Sequence, residues 1–211
     1  MSATAVNIAV STSLLEDAVR RLAANADGFT ITLMMPAGQC PGHFDLRPSD
    51  AAALRRADRI LLHGFQTGLK RRLEGFLPDG GRRVAMLHTE GSLLKPAHFL
   101  ALAKEAASAL DLPAEVRRKG LRDTEAVCER VETLCRDAAA RWNGVRVIAS
   151  LRQAAFCRWL GFDVAGVLPP GESVTPRDLD ALAGLDAAAI VGNLQSDRRE
   201  AERLGKRLNL P

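Results

Sequence analysis

The four histidines of this 211-residue chain, His43, His63, His88 and His98, all lie between residues 43 and 98, and none follows. Imidazole is the commonest metal-binding side chain, so histidines gathered by a fold point first to a transition metal or a small anion. Cys40 precedes His43 in Cys40-Pro41-Gly42-His43, a spacing that lets a soft thiolate and an imidazole reach one ion, and Glu90 stands close enough after His88 to add an oxygen donor. The candidate metal donors are therefore His43, His88, His63, Cys40 and Glu90. Each has a plainer reading: a loop imidazole bonded to backbone, a strand-end histidine closing a turn, a buried thiol. His98, in the first turn of a helix after Pro96, reads as a packing or surface residue.

Those donors depend on the strands that carry them. Short apolar runs alternate with helical periods along the whole chain, the pattern of βα units around a mostly parallel sheet. Strands are expected near 6–10, 29–34, 58–62 and 83–87, with helices near 13–25, 49–56, 66–76 and 97–111. His43, His63 and His88 then follow the carboxyl ends of three different strands, where open α/β sheets bind ligands. Ser11-Thr12-Ser13 reads as the N-cap of a helix beginning at Leu14. A single long helix is expected over 123–142, capped by Asp123 and stopped at Asn143-Gly144, with Val127, Val131, Leu134 and Ala138 on one stripe. Beyond it the alternation resumes, with strands near 145–149, 163–167 and 187–191 and helices near 151–160, 176–184 and 197–208. The fold class is α/β, two doubly wound βα lobes joined by one long spine helix: residues 1–120, 121–143 and 144–211.

Composition narrows the function classes. An apolar fraction of 47% and a charged fraction of 26% suit an ordinary globular protein. No apolar run approaches the ~20 residues of a membrane span. The net charge is +4, but the arginines are spread along helices and aromatics make up 4%, which argues against a nucleic-acid-binding stripe. Cys128 and Cys135 lie about 10.5 Å apart along one helix, too far to bridge each other, and with Cys157 they read as small buried side chains. Enzyme motifs are missing: the first strand runs into Ser11-Thr12-Ser13 without a phosphate-binding glycine loop, no Gly-x-Ser-x-Gly elbow occurs, and Asp178 and Asp180 face different directions on a helix.

The chain also resembles a known family. Met35-Pro36-Ala37-Gly38, His43, then Phe44-Asp45-Leu46-Arg47-Pro48-Ser49-Asp50 and Ala57-Asp58-Arg59-Ile60-Leu61-Leu62-His63-Gly64 follow, in order and spacing, the first half of the metal-binding substrate-binding proteins of bacterial ABC transporters, the zinc/manganese/iron receptors of the periplasm. Ala155-Phe156-Cys157-Arg158-Trp159-Leu160-Gly161-Phe162, Ser173-Val174-Thr175-Pro176-Arg177-Asp178-Leu179 and Ile190-Val191-Gly192-Asn193-Leu194-Gln195-Ser196 resemble its second half, with a C-terminal lobe shorter than usual. The resemblance implies a rigid spine helix and a ligand held between lobes by three histidines and a carboxylate. Of that set only His43 is retained. The other positions fall near Gly91, Ser150 and Asn193, so a site here would be relocated mainly to the first lobe. Ser150, Asn193 and Ser196 would be hydrogen-bond partners for an oxyanion or a chelated metal.

The resulting expectation is a non-enzymatic receptor, a monomer that hands a transition metal ion or chelate, zinc foremost with manganese and iron next, to a membrane permease of an ABC transporter. The alternatives are a small α/β enzyme or a cytoplasmic metallochaperone using the same crevice. The opening Met1-Ser2-Ala3-Thr4-Ala5 enters a strand with no basic and apolar export segment before it. The resemblance implies a periplasmic location with the signal outside these residues, or a cytoplasmic one if the gene has no signal.

Overall fold

The computed structural model describes residues 6–24, 27–35, 48–170, 174–193 and 198–211. The chain forms two compact units, residues 1–129 and 130–211, which divide inside one helix. Among the described residues no helix is long and apolar enough to cross a membrane.

In the first unit, β1 (Val6–Val10), β2 (Phe29–Leu33), β3 (Arg59–His63) and β4 (Val84–Leu87) make a parallel sheet in the order β2-β1-β3-β4. Side chains alternate across a strand, so β1, β3 and β4 each feed two cores, while the edge strand β2 feeds one through Phe29, Ile31 and Leu33. Ile8, Val10, Leu61 and Leu87 meet Leu15, Val19 and Leu22 of α1 (Ser13–Ala23) and Leu102 and Ala106 of α4 (Pro96–Ala109). On the opposite face Ala9, Ile60 and Leu62 meet Leu54 of α2 (Pro48–Arg56) and Leu69 and Leu73 of α3 (Thr67–Phe76). Burial on both faces explains why the central strands β1 and β3 read as near-continuous apolar runs; each buried leucine contributes roughly 1.5–3 kcal/mol. The chain leaves β1 toward one edge and β3 toward the other, so the β1/β3 carboxyl ends form the switch point where such sheets open a crevice.

Helix α5 runs from Ala114 to Trp142, 29 residues, about 43 Å. It starts nine residues before the expected Asp123, whose carboxylate instead pairs with Lys119 one turn earlier, at 2.8 Å. Gly120 explains the length. A Cβ there would lie 2.5 Å from the Leu22 carbonyl oxygen, so only glycine lets α5 approach the end of α1 this closely. Thr124, fully buried, returns its hydroxyl to the Gly120 carbonyl at 2.7 Å.

In the second unit, β5 (Arg146–Ser150), β6 (Asp163–Leu168) and β7 (Ala189–Val191) form a parallel sheet in the order β6-β5-β7. Ile148, Leu168, Leu182 and Leu204 form the core under α7 (Pro176–Ala183) and α8 (Arg198–Leu208). Ala149, Ala154 and Cys157 form the other, under α6 (Leu151–Trp159). Gly144, at φ +75, turns the chain out of α5 as the Asn143-Gly144 stop requires, and the Trp142 indole stacks on Phe162 with centroids 6.0 Å apart. Thr175 and Asp178 form a reciprocal capping box at the start of α7.

Candidate functional site

The first unit's sheet order brings the ends of β1 and β3 side by side, and a buried polar network occupies that junction. Gln66 Oε1 accepts from the Ser11 hydroxyl at 2.6 Å and from the His63 backbone N–H at 2.9 Å. Thr12 Oγ1 lies 2.7 Å from His63 Nε2 while capping α1 at the Leu15 N–H. Ser11, Thr12, His63 and Gln66 are all buried. Two small hydroxyl residues directly after a buried strand were the sequence signal for this network, although they read only as a helix cap. Gln66 carried no signal.

His63 is 2% exposed and lies under Phe65, which is 64% exposed, with ring centroids 5.1 Å apart and planes within 7°. Burial disfavours the imidazolium and pushes the His63 pKa down to about 4, so the ring is neutral near pH 7. With Nε2 engaged by Thr12, His63 shapes the floor of the site.

Above this floor, His63, Gly64, Phe65, Leu87, His88, Thr89, Glu90, Gly91 and Leu93 line one pocket of about 440 Å3. The His88 ring lies directly over Gly64: a Cβ at residue 64 would stand 2.5 Å from His88 Nδ1. The His88 backbone N–H donates to Glu105 Oε2 at 3.2 Å, which fixes where β4 ends. His88 and Glu90 are exposed, and neither side chain has a hydrogen-bond partner among the described residues. Both are therefore available to a ligand. His98 lies in the first turn of α4, its Nδ1 3.0 Å from the Ser92 carbonyl and its ring against Gly91.

His43 and Cys40 lie outside the described residues, as does Ser196. Among the described residues, no three His, Cys, Asp or Glu side chains converge as a metal ion requires. His63, His88 and Glu90 thus share a pocket without forming a complete coordination sphere. In the second unit Ser150 is buried, and its hydroxyl accepts from the Arg152 N–H at 3.3 Å as the cap of α6. Asn193 lies beside Gly192, Arg198 and Lys206 in a pocket of about 740 Å3.

Residues 8–108, from β1 through α4, match the family model described as ZnuA, zinc-uptake complex component A, periplasmic. This segment is ZnuA-like. The likeness in fold extends over nearly the whole chain. A crystal structure of ZnuA superposes with a TM-score of 0.75 at 16% identity, covering 98% of this chain and 89% of that one. TroA gives 0.76 at 18% identity, covering 97% and 82%. A periplasmic metal-binding protein from Candidatus Liberibacter asiaticus gives 0.73 at 13% identity, covering 98% and 86%. No curated protein sequence gives a significant match. The ZnuA-like segment contains Ser11, Thr12, His63, His88, Glu90 and His98, so the switch-point network and the pocket above it both fall inside it.

Proposed function

We infer that this protein is the solute-binding receptor of an ABC transporter and that it captures and releases a transition metal ion, or a small complex of one, for a membrane permease. The observation that carries this reading is the ZnuA match over residues 8–108, the segment whose strand ends present His88 and Glu90 on an open pocket. Imidazole nitrogen and carboxylate oxygen are donors that zinc, manganese and iron accept. In this reading His88, Glu90 and His43 contact the metal, Cys40 adds a soft donor for zinc, and the neutral His63 braces the loop beneath them. The donors belong to the first lobe, and helix α5 (Ala114–Trp142) connects it to the second. The chemistry is binding and release without bond making, and the setting is the periplasm, where such receptors operate.

The test is elemental analysis of protein purified without chelator, paired with thermal melts in the presence of zinc, manganese, ferrous iron, cobalt and nickel. Co-purified zinc is expected. A ligand present at a hundredfold excess over its Kd stabilises by about 2.7 kcal/mol, on the order of 5–10 °C for a chain of this size. His43→Ala should remove most of this shift. A metal-free protein whose Tm ignores every ion would overturn the receptor assignment.

A further inference from the structure

We propose that His63 presents a ring N–H, at its Nδ1 atom, to the floor of the pocket and donates it to an anionic oxygen of the ligand, so that the metal is taken up as a small carboxylate complex. This rests on the receptor reading and names the class of its substrate.

The hydroxyl of Thr12 decides which ring nitrogen carries the hydrogen. Thr12 Oγ1 already accepts from the Leu15 N–H while lying 2.7 Å from His63 Nε2. It has one hydrogen to donate, and Nε2 is its one acceptor among the described residues. Were Nε2 the donor instead, that hydrogen would be buried with nothing to receive it, since Thr12 is 8% exposed. Nε2 therefore accepts, and the hydrogen of the neutral ring sits on Nδ1. In this state Nδ1 has no lone pair for a metal; it offers a hydrogen bond.

Nδ1 is also the polar part of the ring that reaches open space. It has no partner among the described residues. Among those residues the only sealed side-chain nitrogen or oxygen without a partner is Asp79 Oδ1, so the little of His63 that remains exposed includes Nδ1. The space it opens on is the pocket of about 440 Å3 that His63 lines with Phe65, His88, Thr89 and Glu90. Phe65 stacks on the ring face and leaves the ring edge bare. A donor this deeply buried forfeits a hydrogen bond unless a ligand supplies the acceptor. Glu90 places a carboxylate on the same pocket, which repels a free anion, whereas a carboxylate bound to a divalent metal carries its own compensating charge. Such a complex also brings donors for its metal, and the pocket has room for it.

A long-range 1H–15N spectrum of the histidine rings in the metal-free full chain is the first test. His63 should show a protonated Nδ1 and a bare Nε2; the reverse assignment overturns the proposal. Isothermal titrations with zinc alone, citrate alone and zinc citrate then read the ligand class. Zinc citrate should bind about tenfold or more tightly than either component, the size of one hydrogen bond to a charged acceptor. His63→Asn sets an amide N–H where Nδ1 stood and should keep that preference. His63→Gln keeps the reach to Thr12 but has no donor at the Nδ1 position, and should abolish it. Should zinc alone bind as tightly as zinc citrate, or His63→Gln retain the preference, the proposal fails while the receptor reading stands. Citrate alone binding as tightly as zinc citrate would make this an anion pocket and also defeat it. If neither zinc nor zinc citrate is held, both readings fall together.

Discussion

At the scale of single residues, His63 ties the chain's stability to pH. Its pKa is near 4 in the folded protein, against 6.5 for a free side chain, because burial penalises the imidazolium. Between those values the unfolded chain binds the extra proton and the folded one does not, so the stabilisation is whole above about pH 6.5 and is lost as pH falls toward about 4. The slope approaches 1.4 kcal/mol per pH unit and the total is about 3 kcal/mol. Urea midpoints at about pH 7.5 and about pH 4.5 should therefore diverge in the parent and draw together in His63→Gln, which cannot titrate. If the variant keeps the parent's pH dependence, His63 is not its source. Gly64 offers a second residue-level test. Adding a methyl with Gly64→Ala places it 2.5 Å from His88 Nδ1 and turns that ring away. Zinc affinity should fall on the order of tenfold with the metal-free melt little changed; unaltered affinity would remove His88 from the donor set.

At the scale of elements, helix α5 sets two general expectations against each other. Replacing a glycine inside a helix by alanine normally stabilises by about 1 kcal/mol. At Gly120 the new methyl would meet the Leu22 carbonyl at 2.5 Å, and backbone cannot step aside as a flexible side chain can. Overpacking of this kind costs about 1–3 kcal/mol, so Gly120→Ala should lower the denaturation midpoint. A stabilised variant would mean α5 does not lie on α1 as described. The same helix shows where the sequence misled. Asp123 looked like a cap because Ala114 to Arg122 carries mostly charged side chains and a glycine, with no apolar stripe to announce a helix. The stretch is helical because Gly120 and Leu121 dock on the first unit's core. Elsewhere the strands and helices sit within two residues of their expected positions, since runs buried on both faces and glycine or proline stops leave little choice.

Across the whole molecule, the site was less legible than the fold, for a physical reason. His63 and His88 were visible because a parallel sheet puts strand ends at one rim. Thr12 and Gln66 were not: Thr12 reaches His63 across 51 residues of sequence, and only the β1/β3 pairing brings them together. For the complete chain, zinc added to metal-free protein should raise the global Tm by the several degrees estimated above, and His88→Ala with Glu90→Ala should remove at least half of that gain; a double variant that retains the full rise would move the site away from this pocket.

The stacking of Trp142 on Phe162 has a practical corollary. The chain has two tryptophans and no tyrosine, and both indoles, Trp142 and Trp159, belong to the second unit. Intrinsic fluorescence is thus a private reporter of residues 130–211, while circular dichroism sums over every helix. Recorded together during unfolding, the two signals tell whether the halves melt in concert through their common helix or one after the other.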